Sequence, residues 1–296
     1  MALTIACENS RLVTLAEFAD HVQSEVDLRD LDSVAAAAPM LRGLANDREL
    51  VVRELNRRVK DHFHSEAIPW AQSLFLGDGR DFYVRANIWP SSADLASGRV
   101  YQDQFTYNLL HDHNYNFMTV SYHGPGYVTE IYECDFERIQ GYVGEKVDLR
   151  FVERVHFTKG MVMLYRASAD VHTQLPPDDL AITLNLMIAS PEMCLRDQYF
   201  FDAAQGIIID YPGELDSSRR VSMVKMAGQV GNGETQQLLD DLSRAHPCRR
   251  TRLAASDSLV QLDPADAARV WERASDDREG LVAEAARRRL QALAGG

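Results

Sequence analysis

The sequence predicts an α+β protein, a central antiparallel barrel or sandwich of short strands with helices before and after it. Three observations carry this. The stretches from about 11 to 66 and from about 217 onward place their apolar residues at helical spacing. The stretch from about 72 to 211 breaks into short runs rich in β-branched and aromatic residues. Turn residues, not helices, separate those runs, which favours antiparallel pairing over a parallel α/β sheet.

In chain order, Arg11 to Val26 spaces Leu12, Leu15, Phe18 and Val22 as one helix face. Leu31 to His64 is rich in Ala, Leu, Arg and Glu, with Pro39 and Gly43 as its only breaks. The strand-like runs are Phe82–Trp89, Phe117–Tyr122, Tyr127–Glu133, Gly160–Tyr165 and Ala181–Ile188. Gly124-Pro-Gly, Gly141-Tyr-Val-Gly and Pro176-Pro-Asp-Asp supply turns. Four further helices are predicted near 234–245, 249–262, 265–274 and 279–293, with start signals at Asn232 and at Asp263-Pro. Their short links resemble HEAT-like helix pairs. The expected organisation is N-terminal helices over 1–70, a barrel over 71–215 and a helical region over 216–296.

The 296 residues carry 31 basic and 44 acidic side chains, a net charge of −13. Nucleic-acid affinity is built from clustered Lys and Arg, so no nucleic-acid partner is expected. No apolar run reaches the roughly 20 residues of a membrane helix, and the start lacks a signal-peptide pattern, so a cytoplasmic location is expected. The four cysteines, Cys7, Cys134, Cys194 and Cys248, are far apart and never form Cys-x-x-Cys, as in a reduced, disulfide-free chain. Gly124-Pro-Gly and Gly231-Asn-Gly lack the Lys-Ser/Thr of a phosphate loop.

Chemistry concentrates in the histidines. His111 and His113 are separated by one residue in a strand-like segment, and side chains at i and i+2 of a strand point to one face about 7 Å apart. The same spacing at His62 and His64 ends a predicted helix, where the two side chains diverge. A third ligand is available downstream at His172, whereas His123 and His156 read as loop residues. Glu130 and Glu133 follow on the next strand, three apart and so on opposite faces, and Glu130 is the favoured acid–base or fourth-ligand group. Thr119, Ser121, Thr183 and Asn185 alternate on their strands as polar pocket lining, with Tyr107, Tyr115 and Tyr122 as further donors.

Over roughly 100–190 the chain resembles the cupin superfamily of small double-stranded β-helix barrels. His111-x-His113 with Gly124 keeps the spacing of the first cupin motif, and Gly160 with His172 keeps that of the second to within a residue. The motif glutamate would fall at Phe117 or Met118, the opening glycine is missing near Phe105, and Arg166-Ala-Ser168 replaces the Pro-x-Gly turn. The nearest local pattern is that of three-histidine non-haem iron dioxygenases. This implies a mononuclear metal site at His111, His113 and His172 that takes Fe(II), with Mn, Ni, Zn or Cu as alternatives. The implied activity is oxidation or hydroxylation of an amino-acid-derived or peptide substrate, or of another small molecule. Asp170-Val-His172 and Ile182-Thr-Leu-Asn185 also resemble the JmjC and asparaginyl-hydroxylase kind, which would add 2-oxoglutarate as co-substrate, paired with Arg85 or Arg166. A third reading is a non-catalytic metal-binding cupin whose helical tail binds a protein. A homodimer is compatible with each.

Overall fold

The computed structural model describes residues 2–61, 72–190, 193, 195–212 and 216–295, excluding the side chains of 216 and 217. His62, His64 and Cys194 lie outside the described residues. The chain divides into two compact units, Met1–Asp135 with Asp148–Ser190, and Phe136–Val147 with Pro191–Gly296.

The first unit begins with β1 (Leu3–Ile5) and the helices α1 (Leu15–Glu25), α2 (Leu31–Ala36), α3 (Ala38–Leu44) and α4 (Leu50–Lys60). Thr14 starts α1 with a reciprocal capping box to Glu17, satisfying two otherwise orphaned N–H groups. Pro39, a break in the sequence pattern, sits in the first turn of α3, where its missing N–H costs nothing. Then come β2 (Ser73–Gly79), β3 (Phe82–Trp89), α5 (Ser92–Ala96), β4 (Leu110–His111), β5 (Phe117–His123) and β6 (Tyr127–Glu133). The unit closes with β7 (Arg150–Phe157), β8 (Val162–Tyr165), β9 (Asp170–Leu175) and β10 (Ala181–Ile188).

One antiparallel sheet runs β1-β8-β5-β10-β3-β2, and the barrel strands of the other run β4-β9-β6-β7. Strands β3 to β10 in the orders β3-β10-β5-β8 and β4-β9-β6-β7 make a double-sheet jelly roll, the kind of barrel that the resemblance implied. Its turns explain the two motif glycines. Gly124 has φ +81°, and a Cβ there would lie 2.0 Å from the Leu180 carbonyl oxygen. Gly160 has φ +83° and is packed against the Arg42 guanidinium.

Two cores follow from strand alternation. On one face of the first sheet Val84, Met118, Val120, Leu164, Leu184 and Leu186 bury against Phe18, Val22, Val34, Leu41 and Leu44 of the helices. On the other face Trp89, Phe117, Met163, Tyr165 and Met187 meet Tyr127, Ile131 and Phe157 from the second sheet, filling the barrel.

The second unit holds the hairpin β11 (Phe200–Asp202) and β12 (Ile207–Asp210), and the helices α6 (Asp216–Val230), α7 (Gly233–Ala245), α8 (Arg249–Leu262), α9 (Ala267–Ala274) and α10 (Gly280–Gly295). The sequence pattern located α7 to α10 and missed α6, whose faces are mixed, with Met223, Met226 and Val230 exposed. Asn232 caps α7, and Pro264 opens a short 3₁₀ turn before α9. Arg252 is buried in α8 and makes a two-pronged ion pair with Asp277 at 2.7 and 2.8 Å, its remaining donors meeting the His246 and Pro247 carbonyls. No described helix is long and apolar enough to cross a membrane.

Candidate metal centre

His111, His113 and His172 come together inside the barrel, with one ring nitrogen from each within 4.8 Å of the others. His111 ends β4 and stands directly opposite His172 on β9. His113 is not on a strand as the i, i+2 argument assumed. β4 stops at His111, and His113 belongs to the extended link that follows. The two rings nonetheless converge, with centroids 4.8 Å apart, and Asp112 between them is fully buried.

The hydrogen bonds define which nitrogens face the centre. His111 Nδ1 lies 2.7 Å from the Leu109 carbonyl, which can only accept, so the proton is on Nδ1 and the ring lone pair on Nε2. His113 Nε2 and His172 Nε2 are 3.1 Å apart. Imidazoles sharing an ion at bond lengths near 2.1 Å hold their nitrogens about 3 to 3.5 Å apart. That pair is already at this spacing, and the His111 nitrogen lies within 4.8 Å of both. Burial pushes the His111 imidazole pKa down, partly opposed by its bond to Leu109, and pushes that of His172 down strongly, with His111 adding to the effect. Both rings are therefore held neutral, the form that binds metals.

Aromatic rings surround the histidines. Phe117 stacks on Tyr165 with centroids 4.7 Å apart and planes 5° from parallel, and stands 5.1 Å from the His113 ring and 5.9 Å from that of His172. Where the cupin motif carries a glutamate, this chain thus sets an apolar ring against the ligands, while Met118, the other candidate position, faces the helices. Tyr115 stacks on His113 at 4.8 Å, and its buried hydroxyl accepts a hydrogen bond from Arg85. Burial raises the Tyr115 phenol pKa, and the Arg85 guanidinium opposes the rise.

The remaining expected site residues divide by strand parity. Thr119, Asn185 and Arg85 form one cross-strand row on the interior face of β5, β10 and β3, and Ser121 and Thr183 belong to the next. All but Arg85 are buried, and Arg85 is the one charged side chain among the described interior positions of β3, β5, β8 and β10. Thr183 accepts from Trp89 Nε1 at 3.2 Å, whereas Thr119 Oγ1, Ser121 Oγ and Arg85 Nε meet no hydrogen-bond partner. Glu130 is not brought to the histidines. It alternates with the buried Thr129 and Ile131 and pairs on the outer face with Arg154 at 3.1 Å. Glu133 is engaged by Arg150 and Arg166, and Arg166 is also tied to Asp170. Tyr107 donates to the Pro90 carbonyl at 2.7 Å. Tyr122 points to the helix side, donating to Asp47 O, so it does not line the interior. His123 and His156 are exposed.

The sequence argument missed Gln174, buried on β9 with its amide nitrogen 3.1 Å from His172 Nδ1. Its i+2 relation to His172 was the available signal, since strand parity puts both on the interior face.

No family model matches this sequence, and no curated protein does. Solved structures match parts of it. A DMSP lyase structure is 10% identical, with 44% of this chain and 52% of that one aligned at a TM-score of 0.26, so the match spans about half of that chain. A hydroquinone 1,2-dioxygenase from Sphingomonas sp. TTNP3 with 4-hydroxybenzoate bound is 10% identical over 43% of this chain and 69% of its own, TM-score 0.27. A cupin domain from Bordetella pertussis is 12% identical over 43% of this chain and all of its own, TM-score 0.23. Cupin domains stand among the neighbours, and the strand order described above carries the fold assignment.

Proposed function

We propose that this chain is a mononuclear non-haem iron oxygenase that acts on an amino-acid-derived or peptide substrate inside the barrel. The observation that carries this is the convergence of three imidazoles on one point with no carboxylate among them, His111 and His172 being buried and held neutral. The donor set fits a divalent ion, since His111 and His172 face each other across one strand pair and His113 Nε2 is at ligand spacing. Fe(II) held there would supply oxidative chemistry, and Mn, Ni, Zn or Cu fit the same nitrogens.

The chain's own residues would do the rest. Arg85, steered by Tyr115, would bind an anionic group such as a substrate carboxylate. Thr119, Ser121, Thr183 and Asn185 would orient the substrate's polar atoms from the same wall. Phe117 and Tyr165 would keep water from the ligand side of the pocket. Elemental analysis of the purified and Fe(II)-reconstituted protein, together with oxygen uptake, tests the proposal. One iron per chain is expected, lost in His111→Ala and His172→Ala. A wild type that never holds stoichiometric metal, or variants that keep it, would sink the idea.

The interior position of Arg85 also favours a second reading, a 2-oxoglutarate-dependent hydroxylase, because that co-substrate needs a cation for its far carboxylate. Succinate formation on adding 2-oxoglutarate separates the two.

A further inference from the structure

We propose that Asn116 is a positioning residue that holds His113 at the metal, by tying the link between β4 and β5 to the turn between β8 and β9. The inference rests on the metal reading of the three histidines and concerns a residue outside the ligand set. His111 and His172 are each seated on a strand and face each other across one strand pair. His113 lies in the link 112–116, which belongs to neither β4 nor β5. Strand pairing therefore does not place it, yet a ligand serves a metal only when held within about 0.5 Å of its productive position.

The turn 166–169 supplies the hold. Three successive backbone amides of this turn are spent on acceptors outside it. Arg166 N–H donates to Asp170 Oδ2 at 2.7 Å, Ala167 N–H to Asn116 Oδ1 at 2.7 Å, and Ser168 N–H to the His113 carbonyl at 2.6 Å. The last two bonds close a ring, in which adjacent amides of the turn grip residues 113 and 116 of the link. Both sides of this clamp are anchored. The Asn116 carbonyl accepts from Ile188 N–H of β10 at 3.1 Å. The Arg166 side chain is bound by the buried carboxylate of Asp170, which opens β9 two residues before His172. Ser168 is buried and takes a left-handed φ of +58°, a conformation that a residue with a side chain keeps only where its surroundings fix it. The link also carries Tyr115, whose ring stacks on His113, so the clamp places the ligand and its packing partner together. Asn116 gives the clamp its side-chain acceptor from the link, and its replacement leaves all three ligands in the chain.

The test uses the full chain, with Zn(II) as probe, and compares wild type with Asn116→Ala, Asn116→Asp and Leu184→Ala. Asn116→Ala removes the acceptor, and Zn(II) affinity by chelator competition is expected to fall about tenfold or more, the scale seen when an outer support of a ligating histidine is lost. Asn116→Asp keeps an oxygen facing Ala167 N–H and is expected to recover most of that affinity. Leu184→Ala weakens the fold from the helix side and is expected to bind Zn(II) as wild type does. A second readout, taken without metal, is hydrogen exchange of the Ser168 amide by NMR. It is expected to be slow in wild type and Asn116→Asp, and about tenfold faster in Asn116→Ala through local opening of the clamp. Equal Zn(II) affinity in wild type and Asn116→Ala, or equal losses in Asn116→Ala and Leu184→Ala, overturns the positioning role. Ser168 exchange that does not respond to Asn116→Ala overturns the tie itself. A wild type that takes up no Zn(II) while its Ser168 amide stays protected overturns the metal reading, and the role of Asn116 falls with it.

Discussion

The two faces of the sheet β8-β5-β10-β3 are built by the same four strands and differ by residue parity alone. On β10, Leu184 and Leu186 point toward the helices while Thr183 and Asn185 point into the barrel. On β5, Met118 and Val120 alternate in the same way with Thr119 and Ser121. The helix-facing side is uniformly apolar and close-packed. The interior side mixes stacked aromatic rings with hydroxyls that meet no partner, next to three histidines of which burial holds His111 and His172 neutral. Parity therefore assigns stability to one face and binding chemistry to the other, and each can be perturbed separately.

The largest effect on stability is expected from the apolar face. Leu184 is fully buried, and Leu184→Ala should cost about 2 to 5 kcal/mol through lost contacts and a residual cavity. Urea denaturation measures the loss, and metal content per folded chain should stay at the wild-type level. A Leu184→Ala protein that folds normally but loses its metal would break the division between the faces.

Acidification probes the interior. His111 and His172 bind their protons less readily when folded than when unfolded, where the imidazole pKa is near 6.5. Below that pH the unfolded chain takes up protons that the native chain refuses, so stability rises with pH and is lost as pH falls below about 6.5. For metal-free protein the slope should approach about 1 to 3 kcal/mol per pH unit, and it should vanish in the double variant His111→Phe/His172→Phe. A wild-type slope unchanged in that variant would place the titration elsewhere.

The smallest effect is the most diagnostic. Thr119→Val keeps the shape and removes a buried hydroxyl with no partner, so stability should change by less than about 1 kcal/mol, or rise. Calorimetry reads it directly. A larger loss would mean that the hydroxyl is satisfied within the protein and is not held open for a ligand.

Much of this architecture was legible in the chain. Phe82–Trp89 and Ala181–Ile188 are strands over the spans that their composition suggested, and Asn232 and Pro264 stand at or beside the helix starts that were expected. The short or polar strands were not legible. β1 has three residues and β4 two, too few for a period, and β7 carries charge on both faces because one of them is exposed. Within the site the three histidines could be found because His111-x-His113 and His172 keep the motif spacing of the resemblance, although His113 lies beyond the end of β4. Glu130 misled because a residue three positions from its alternative fixes only that the two oppose each other, not which one faces inward. Gln174 was invisible as chemistry, since an amide on a strand has no signature until its neighbour across the pleat is known.

The pairing of His111 with His172 across β4 and β9 has a consequence for how the chain assembles. A slip of one residue in β9 would turn Val171 or Thr173 toward His111 and His172 away from it, because strand side chains alternate. An ion captured by all three rings would add its binding free energy only to the chain whose strands are in register. In such a protein the metal acts as a proofreader of strand pairing, rewarding one alignment of a two-residue strand that its own hydrogen bonds hardly distinguish from its neighbours.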